Sequence, residues 1–507
     1  MLKFVVTDDR KWLQLVHFDE EVERKQIELS LTKKIHNHFF HPLVKKKLWD
    51  GAICFVDKKG PQWRVPIGLW REILQIAEDY SLTIEVEGKS RIFHNELTLE
   101  HFTNWVNKFF EDSTYKPRDY QIDSAWRILK YRYSVSEIAT SSGKTLISFL
   151  VLAYLKSNNL IRKFLMIVPN TNLVIQGTED FVDFGLHKLG CKIQQIGGGA
   201  KQRGDCDIII GTYQSLVKFD EEFFTEIDAV FVDEAHGTSS MSIKKIISKC
   251  LDSGWRFGLT GTLTKRGSAE YLTIQQFLGP LVMEITPKFL FDNNYATPVS
   301  VKVVIMDWLD DEIKNKLADL KLNSNNIEGN EVYNLERKLV IESKKRLDFI
   351  VDFIIKANKN SLVLFQSVMN EYGKQIFHKI RESSQGKEVF YVDGDTEEKI
   401  REEYKSRMEK GDNKILIATY GTFSTGISIK NIHNIFLVES YKSEVLIKQS
   451  LGRGMRQMEG KEKVNVIDFV DDFSSGKYEN YLMRHSKARI DIYKRERFEY
   501  KIFNVKL

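Results

Sequence analysis

The run Ile138-Ala139-Thr140-Ser141-Ser142-Gly143-Lys144-Thr145 has the residue types for gripping phosphate, and an apolar stretch, 146–155, follows it directly. Backbone N–H groups of a small-residue loop attract anions, and so does the positive end of the helix after it. Thr140, Ser141, Ser142 and Gly143 would form the cradle. Lys144 adds a point charge for phosphate oxygens, and the Thr145 hydroxyl suits a hard divalent cation. Ile138 stands where the strict pattern has Gly. The competing reading is a Ser/Gly turn capping an ordinary helix. A second cluster, Asp233-Glu234-Ala235-His236, follows the apolar run 229–232. An Asp at the end of a buried strand can anchor Mg²⁺, which takes carboxylate, phosphate and water oxygens. Glu234 is then placed to polarise an attacking water. The two clusters together predict ATP and Mg²⁺ as cofactors, with Thr145 and Asp233 as the metal ligands.

A third cluster, Gln449-Ser450-Leu451-Gly452-Arg453-Gly454-Met455-Arg456, spaces two guanidiniums three residues apart. On a helix that spacing puts both on one face. Its surroundings contain no phosphate loop. Arg453 and Arg456 are therefore expected to reach a phosphoryl group across a cleft and stabilise the charge that develops during transfer. In isolation the same pair reads as an exposed feature of a solvated helix.

These clusters need elements to position them. At 507 residues the length prior gives roughly three domains. A hydrophobic fraction of 42% is ample for their cores, and no window has the length of apolar chain that crosses a membrane. The N-terminus lacks the apolar run of a signal peptide. Cys54, Cys191, Cys206 and Cys250 lie far apart, which suggests reduced thiols rather than a disulfide frame or a zinc site. Residues 1–112 read as a small α+β unit, with strand-like runs at 5–6, 12–16, 52–56 and 82–86 and a helix over 68–80. From 113 onward, helices alternate with short, wholly apolar strands at 164–168, 207–211, 229–232 and 257–260. A second alternating block has strands at 362–365, 389–392, 415–418, 435–438 and 464–467. This alternation predicts parallel sheets. Residues 285–298 read as a connection, and 308–337 is too poorly patterned to place.

Charge is unevenly distributed. The net charge is only +5, yet residues 477–507 hold nine Lys/Arg against four Asp/Glu, and residues 31–66 hold eight against two. Both stretches carry aromatics: Phe39, Phe40, Trp49 and Trp63 in one, Tyr478, Tyr481, Tyr493 and Tyr500 in the other. Cations interleaved with rings suit nucleic acid, where phosphates meet charge and bases meet aromatic faces. A solvated helix face plus core aromatics would give the same composition. Gly197, Gly198 and Gly199 read as a plain turn, because no Gly-Lys-Ser/Thr follows.

Taken in order, these residues resemble the superfamily 2 helicases. Arg118-Asp119-Tyr120-Gln121 resembles the adenine-reading glutamine motif, which implies nucleotide contacts from Tyr120 and Gln121. Val168-Pro169-Asn170-Thr171 and Gly211-Thr212-Tyr213-Gln214 resemble strand-tracking motifs, which implies nucleic-acid contacts from Pro169, Asn170, Thr171, Gly211, Thr212 and Gln214. Thr260-Gly261-Thr262 resembles the motif that couples hydrolysis to movement. The stretch from Thr419 through Gly426 to Ser428 resembles the fifth motif and Gln449 to Arg456 the sixth, which implies a nucleic-acid contact at Thr419 and nucleotide contacts at Gly426 and Gln449. Trp49-Asp50-Gly51, followed by Pro66-Ile67-Gly68-Leu69, is similar to the N-terminal domain of the UvsW family of phage recombination helicases.

The resemblance implies an α/β chain of two tandem RecA-like parallel-sheet domains, 113–290 and 300–475, behind a small N-terminal α+β nucleic-acid-binding domain, 1–112. A basic tail, 476–507, would follow. It implies an ATP-dependent DNA helicase or translocase that remodels branched DNA by fork regression, Holliday-junction migration and 3′-to-5′ unwinding. Lys46, Trp49 and Arg64 are the expected DNA contacts of the first domain. The expected setting is a monomer in the cytoplasm, working on DNA with single-strand-binding or recombination proteins as possible partners and no membrane. The rivals are an RNA helicase or restriction-type translocase on the same motor, and a module that binds ATP without hydrolysing it.

Overall fold

The computed structural model describes every residue except 10, 59–62, 90–91, 95, 198–203, 251–252, 324–328, 367–370, 385, 427–428 and 477. Gly198, Gly199, Lys59, Ile427 and Ser428 thus lie outside the described residues. The chain divides into two compact units, Met1–Ile138 with Gly143–Ile285, and Thr286–Leu507 with Ala139–Ser142.

The first unit holds a seven-stranded, all-parallel sheet. Its order is Leu281–Ile285, Tyr133–Ile138, Trp255–Thr260, Ala229–Asp233, Phe164–Val168, Ile208–Thr212, Ile193–Ile196. The strands Ala229–Asp233, Phe164–Val168 and Ile208–Thr212 are almost wholly apolar because helices cover both faces, so neither set of alternate side chains meets water. Phe164–Val168 and Ile208–Thr212 are buried at every position. The helix Lys144–Ser157 is buried from Leu146 to Leu155. A helix apolar on all sides must sit between other elements.

The N-terminal region is not a free-standing domain. Its four-stranded sheet, in the order Trp63–Pro66, Trp12–Phe18, Leu2–Val6, Ile84–Glu87, shares one core with Tyr271 and Leu272 of the helix Ala269–Leu278. Gly68 lies so close to that helix that a Cβ would sit 2.0 Å from the Gln275 carbonyl oxygen, which explains glycine there. Arg71 Nη1 also donates to the Leu281 carbonyl at 2.6 Å. The expected boundary at 112 falls too late. The helix Leu99–Phe109 sets Phe102 and Trp105 edge-on to Tyr154, with ring centroids 5.3 and 5.2 Å away, so it belongs to the shell of the parallel sheet.

The second unit repeats the architecture. Its parallel order is Val389–Val392, Ile415–Thr419, Ser361–Phe365, Asn434–Leu437, Val464–Asp472, Val299–Asp307, Glu499–Lys506. Residues 476–507, expected as a basic tail, are built into this unit. The helix Tyr481–Arg495 is followed by the strand Glu499–Lys506, which pairs with Val299–Asp307. Arg489 is fully buried, forked onto Asp468 at 2.9 and 2.7 Å. Tyr493 donates to the same carboxylate at 2.8 Å. The local charge surplus therefore includes core ion pairing. The described part of 308–337 forms the helix Asp311–Asn323 and the start of the helix Gly329–Glu342. Buried Glu336 docks the second helix by accepting the backbone N–H groups of Tyr481 and Leu482 at 2.9 and 3.0 Å.

Candidate functional site

The phosphate loop leaves the strand Tyr133–Ile138 and enters the helix at Lys144. Ile138 is the last residue of that strand, paired with Ile285 and fully buried, so the departure from the Gly pattern falls in the sheet. The turn itself uses two left-handed positions, Ser141 at φ 69° and Gly143 at φ 84°. Ser142 Oγ donates to the Ala139 carbonyl at 2.7 Å and closes the loop on itself. Gln121 packs against Gly143, where a Cβ would meet its Nε2 at 2.4 Å. Its Oε1 accepts the Arg118 N–H at 2.8 Å, which fixes the amide. The glutamine motif and the phosphate loop are thus adjoining, with Tyr120 buried on the same helix, Asp119–Tyr131.

Across the sheet edge, the strand Ala229–Asp233 delivers the acidic pair. Glu234 adopts a left-handed backbone, φ 53° and ψ 57°, which turns its side chain back toward the loop. Lys144 Nζ donates to Glu234 Oε1 at 3.2 Å. The other carboxylate oxygen lies 3.3 Å from the Thr260 hydroxyl, which also reaches the Thr262 carbonyl at 2.9 Å, and 3.4 Å from His236 Nδ1. His236 Nδ1 and Thr260 Oγ1 are 3.0 Å apart. Thr260 also accepts the Thr262 N–H at 3.2 Å, so one hydroxyl joins Thr260-Gly261-Thr262 to the surroundings of the Glu234 carboxylate.

The two acids are driven apart electrostatically. Burial, and then the neighbouring Glu234 carboxylate, push Asp233 up to about 6. Glu234 is also opposed by burial, but the Lys144 ammonium and the His236 contact outweigh that and hold it well below the usual carboxylate range. The Asp233 carboxylate and the Thr145 hydroxyl, on the first turn of the helix, are oxygen donors of the kind that would suit a hard divalent ion. The left-handed loop, the helix N-terminus and Lys144 fit the phosphates themselves.

In the same sheet, the residues expected to contact nucleic acid lie at the carboxyl ends of the neighbouring strands Phe164–Val168 and Ile208–Thr212. Asn170 caps the helix Thr171–Asp183 by accepting the Leu173 N–H at 3.1 Å. Gln214 Nε2 donates to the Pro169 carbonyl at 3.2 Å, which joins the two motifs. Thr212 Oγ1 donates to Ser215 Oγ at 3.1 Å, and Gly211 packs against Leu216. In the N-terminal region Lys46 is exposed, whereas Trp49 is half-buried and donates to the Ala52 carbonyl at 2.9 Å. Arg64 is committed elsewhere, forked onto Asp57 at 2.9 and 2.8 Å and lying 4.3 Å over the Trp12 ring. It is a structural residue first.

In the second unit Thr419 Oγ1 accepts the Thr422 N–H at 3.2 Å and starts the helix Tyr420–Gly426. Gln449 and Arg453 share a face of the helix Glu444–Gly454, which Ser443 caps. That helix ends at Gly454, so Arg456 does not share a helical face with Arg453 as the spacing suggested. Arg456 is held through its backbone, where its carbonyl accepts Thr297 Oγ1 at 3.3 Å and Lys461 Nζ at 3.2 Å.

Lys461 was missed by sequence reasoning. Buried, it also donates to the Gly454 carbonyl at 2.6 Å and the Lys430 carbonyl at 2.9 Å. One ammonium thereby fastens the end of the sixth motif to the segment after the fifth. Burial lowers it to about 8, with Arg456 adding to the effect and Glu409 opposing it. Its neighbours, Glu459-Gly460 and Glu462-Lys463, read as an exposed polar turn, so no sequence signal marked it. Glu439 is a second such residue. Its carboxylate accepts the Gln366 N–H and Arg337 Nη2, both at 2.9 Å.

The family models agree with this geometry. Residues 114–265 match the "Type III restriction enzyme, res subunit" model, and residues 345–458 match the "Helicase conserved C-terminal domain" model. The chain is 30% identical, over 92% of its length and 93% of the relative's, to the ATP-dependent DNA helicase UvsW of Enterobacteria phage T4. Two solved structures share the fold. One is the Type ISP restriction-modification enzyme LlaBIII bound to DNA, at 16% identity and TM-score 0.58 over 77% of this chain and 31% of that one. The other is Saccharomyces cerevisiae Dbp5 bound to RNA and ADP BeF3, at 14% identity and TM-score 0.54 over 81% and 95%. No helix among the described residues is long and apolar enough to cross a membrane. The chain belongs to the superfamily 2 helicases, in the family of phage T4 UvsW.

Proposed function

We propose that this helicase hydrolyses ATP to drive the remodelling of branched DNA, by fork regression, branch migration and unwinding. The observation that carries the reading is the Glu234 carboxylate, shared between Lys144 of the phosphate loop and Thr260 of the coupling motif. Hydrolysis and movement therefore meet at one side chain. The kinship with the T4 DNA helicase supports DNA as the track, and the exposed basic N-terminal region supports a branched form of it.

Lys144 leaves Glu234 and grips the β- and γ-phosphates. Asp233 and the Thr145 hydroxyl would hold Mg²⁺, which would supply Lewis-acid charge to the transfer. Glu234, released by Lys144 but still held by Thr260 and His236, orients the attacking water. Gln121 and Tyr120 serve the base, and the N–H groups of Ser141 to Thr145 serve the phosphates. Arg453 and Arg456 are assigned to the charge that develops on the transferred group, an assignment resting on motif order. Gln449 and Gly426 complete the nucleotide contacts. Pro169, Asn170, Thr171, Gly211, Thr212, Gln214 and Thr419 track one strand.

The test is ATP hydrolysis and strand remodelling on forked DNA, Holliday junctions, linear duplex, single strands and duplex RNA. Stimulation and remodelling greatest on forks and junctions is the expected result. Equal action on linear duplex would leave a plain translocase, and preference for RNA would replace the substrate class.

A further inference from the structure

The segment between the strands Thr32–Lys34 and Ala52–Cys54 carries the most exposed aromatic pair of the chain's N-terminal region. Phe39 is 55% exposed and Phe40 65%, with ring centroids 4.6 Å apart. Leu43 and Leu48, at 45% and 73%, extend the patch. Scattered exposed apolar residues are ordinary, but a contiguous group on a short loop marks a binding surface. We propose that Phe39 and Phe40 form a stacking wedge that holds the terminal base pair at a DNA branch point. The inference rests on the branched-DNA reading above and names the residues that would meet the branch.

Charge chooses the occupant. Lys33, Lys34, Lys45, Lys46 and Lys47 flank the pair, and none of them makes an ion pair among the described residues, whereas Lys58 and Arg64 are paired with Glu28 and Asp57. Asp50 is the sole acid of the loop, and its Oδ1 accepts the Ala52 N–H at 3.0 Å. Lys45 Nζ lies 5.8 Å over the Phe40 ring, so cation and aromatic face present together. A second copy of this surface would set lysines against lysines. A polyanion with stackable rings satisfies both components, since aromatic stacking on bases is tolerant of sequence and lysines take phosphates. Phe inserted at a base step is also a known way to unstack a duplex.

The loop is held for the task. Asn37 turns the chain with a left-handed backbone, and the Phe40 N–H donates to its carbonyl at 3.0 Å. His41 caps the turn Pro42–Lys45 by accepting the Leu43 N–H at 3.3 Å. Trp49 sets its face against His41, centroids 5.0 Å apart. The His36 N–H donates to Glu270 Oε1 at 3.0 Å, on the helix Ala269–Leu278 that follows the coupling motif. That bond anchors the loop to the same compact unit as Thr260 and Glu234.

The experiment places 2-aminopurine at the branch of a forked DNA, and in a second probe at the middle of a linear duplex. Full-length wild type, Phe39→Ala/Phe40→Ala, Phe39→Trp/Phe40→Trp and Lys45→Ala/Lys46→Ala/Lys47→Ala are compared, each checked by thermal melting and sedimentation. Wild type should raise the fluorescence at the branch and not in the duplex. The double Ala variant should lose that signal and slow fork processing about tenfold or more, keep single-strand-stimulated ATP hydrolysis, and be rescued by Trp. The lysine variant should keep the signal at saturation but bind with a shallower salt slope, by roughly 0.9 per lost duplex phosphate contact. A double Ala variant with wild-type signal and fork rate overturns the wedge. So does one that changes only the sedimentation state, which would assign the patch to a protein contact. Wild type that gives the branch signal but processes no forks would overturn the branched-DNA reading and leave the wedge standing.

Discussion

Lys144 Nζ lies 3.2 Å from Glu234 Oε1, so the residue assigned to grip phosphate and the residue assigned to orient water hold each other. Binding of a triphosphate must exchange that ion pair for Lys144–phosphate contacts. The same exchange frees one oxygen of Glu234 for water while Thr260 keeps the other. Glu234→Gln should therefore bind ATP as tightly as wild type or more tightly, because Lys144 loses a competing anion. Hydrolysis should fall by at least about 10²-fold. Fluorescent-nucleotide titration and phosphate release measure both. Wild-type turnover would sink the role of Glu234, and weakened binding would show that Lys144 depends on Glu234 for its placement.

Asp233 makes a prediction about stability. Its pKa of about 6 in the folded chain stands above the ordinary 3.8. Below about pH 4 the carboxyl is protonated folded and unfolded alike. Between about pH 4 and pH 6 the folded state keeps a proton that the unfolded state loses, so stability falls as pH rises through that window. Above it the folded chain carries the full cost of an ionised, buried carboxylate. Asp233→Asn removes the charge. Without Mg²⁺ the variant should melt higher than wild type at pH 7.5, with the gain shrinking as the pH drops below 6, and it should lose Mg²⁺-dependent hydrolysis. An equal difference at pH 5 and pH 7.5 would contradict the assignment.

The chemistry of the first unit was legible because it is written in contiguous residues. Asp233-Glu234 sits at a strand end that its apolar neighbours announce, and Gly143-Lys144-Thr145 at the head of an apolar helix, whereas the strand before that loop, Tyr133–Ile138, carries Ser134, Ser136 and Glu137 and gave no such signal. The second unit was less legible at its margins. Glu499–Lys506 mixes charged, polar and apolar residues and is mostly exposed, and Arg489 looks like any surface arginine until Asp468 is found beside it. Buried ion pairs are long-range facts, and local composition reports only that charge is present. Arg456 illustrates a different loss. Its spacing from Arg453 fits a helix, but the helix stops at Gly454, where Lys461 collects the terminal carbonyls.

Arg453→Ala and Arg456→Ala are therefore measured one at a time. Each should lower turnover by about 10³-fold if it meets the transferring phosphoryl group, with little change in ATP affinity. Single-turnover kinetics with direct nucleotide binding measure this. Loss of binding equal to the loss of rate, for either residue, would remove it from transition-state stabilisation.

Lys461→Met keeps the apolar stem and removes the ammonium. The carbonyls of Lys430, Gly454 and Arg456 lose their donor, and Arg456 loses a backbone anchor. Turnover should drop about ten- to a hundredfold with KM for ATP nearly unchanged, since the effect is on placement. The wild-type ammonium titrates near 8, so its turnover should decline as the pH passes that value. Lys461→Arg stays charged and should shift the decline upward. Identical alkaline profiles for wild type and the Arg variant would exclude Lys461 as its origin.

Gly68→Ala tests the seating of the N-terminal sheet. A methyl 2.0 Å from the Gln275 carbonyl forces the sheet off its helix and should destabilise the first unit by about 1–3 kcal/mol. Fork processing should fall before single-strand-stimulated hydrolysis does. Denaturant melts alongside both activities measure it, and an unchanged midpoint would mean that the interface gives way freely.

The strand Glu499–Lys506 lies beside Val299–Asp307, which opens the second unit's sheet. A ribosome makes the earlier strand roughly ten seconds or more before its edge partner exists. Until then one rim of the sheet stays unzipped, and Asp468 waits for Arg489 with its charge unanswered. Newborn chains of this helicase thus pass through a long interval as half-built motors with a sticky border, and slower translation of residues 481–506 would lengthen it.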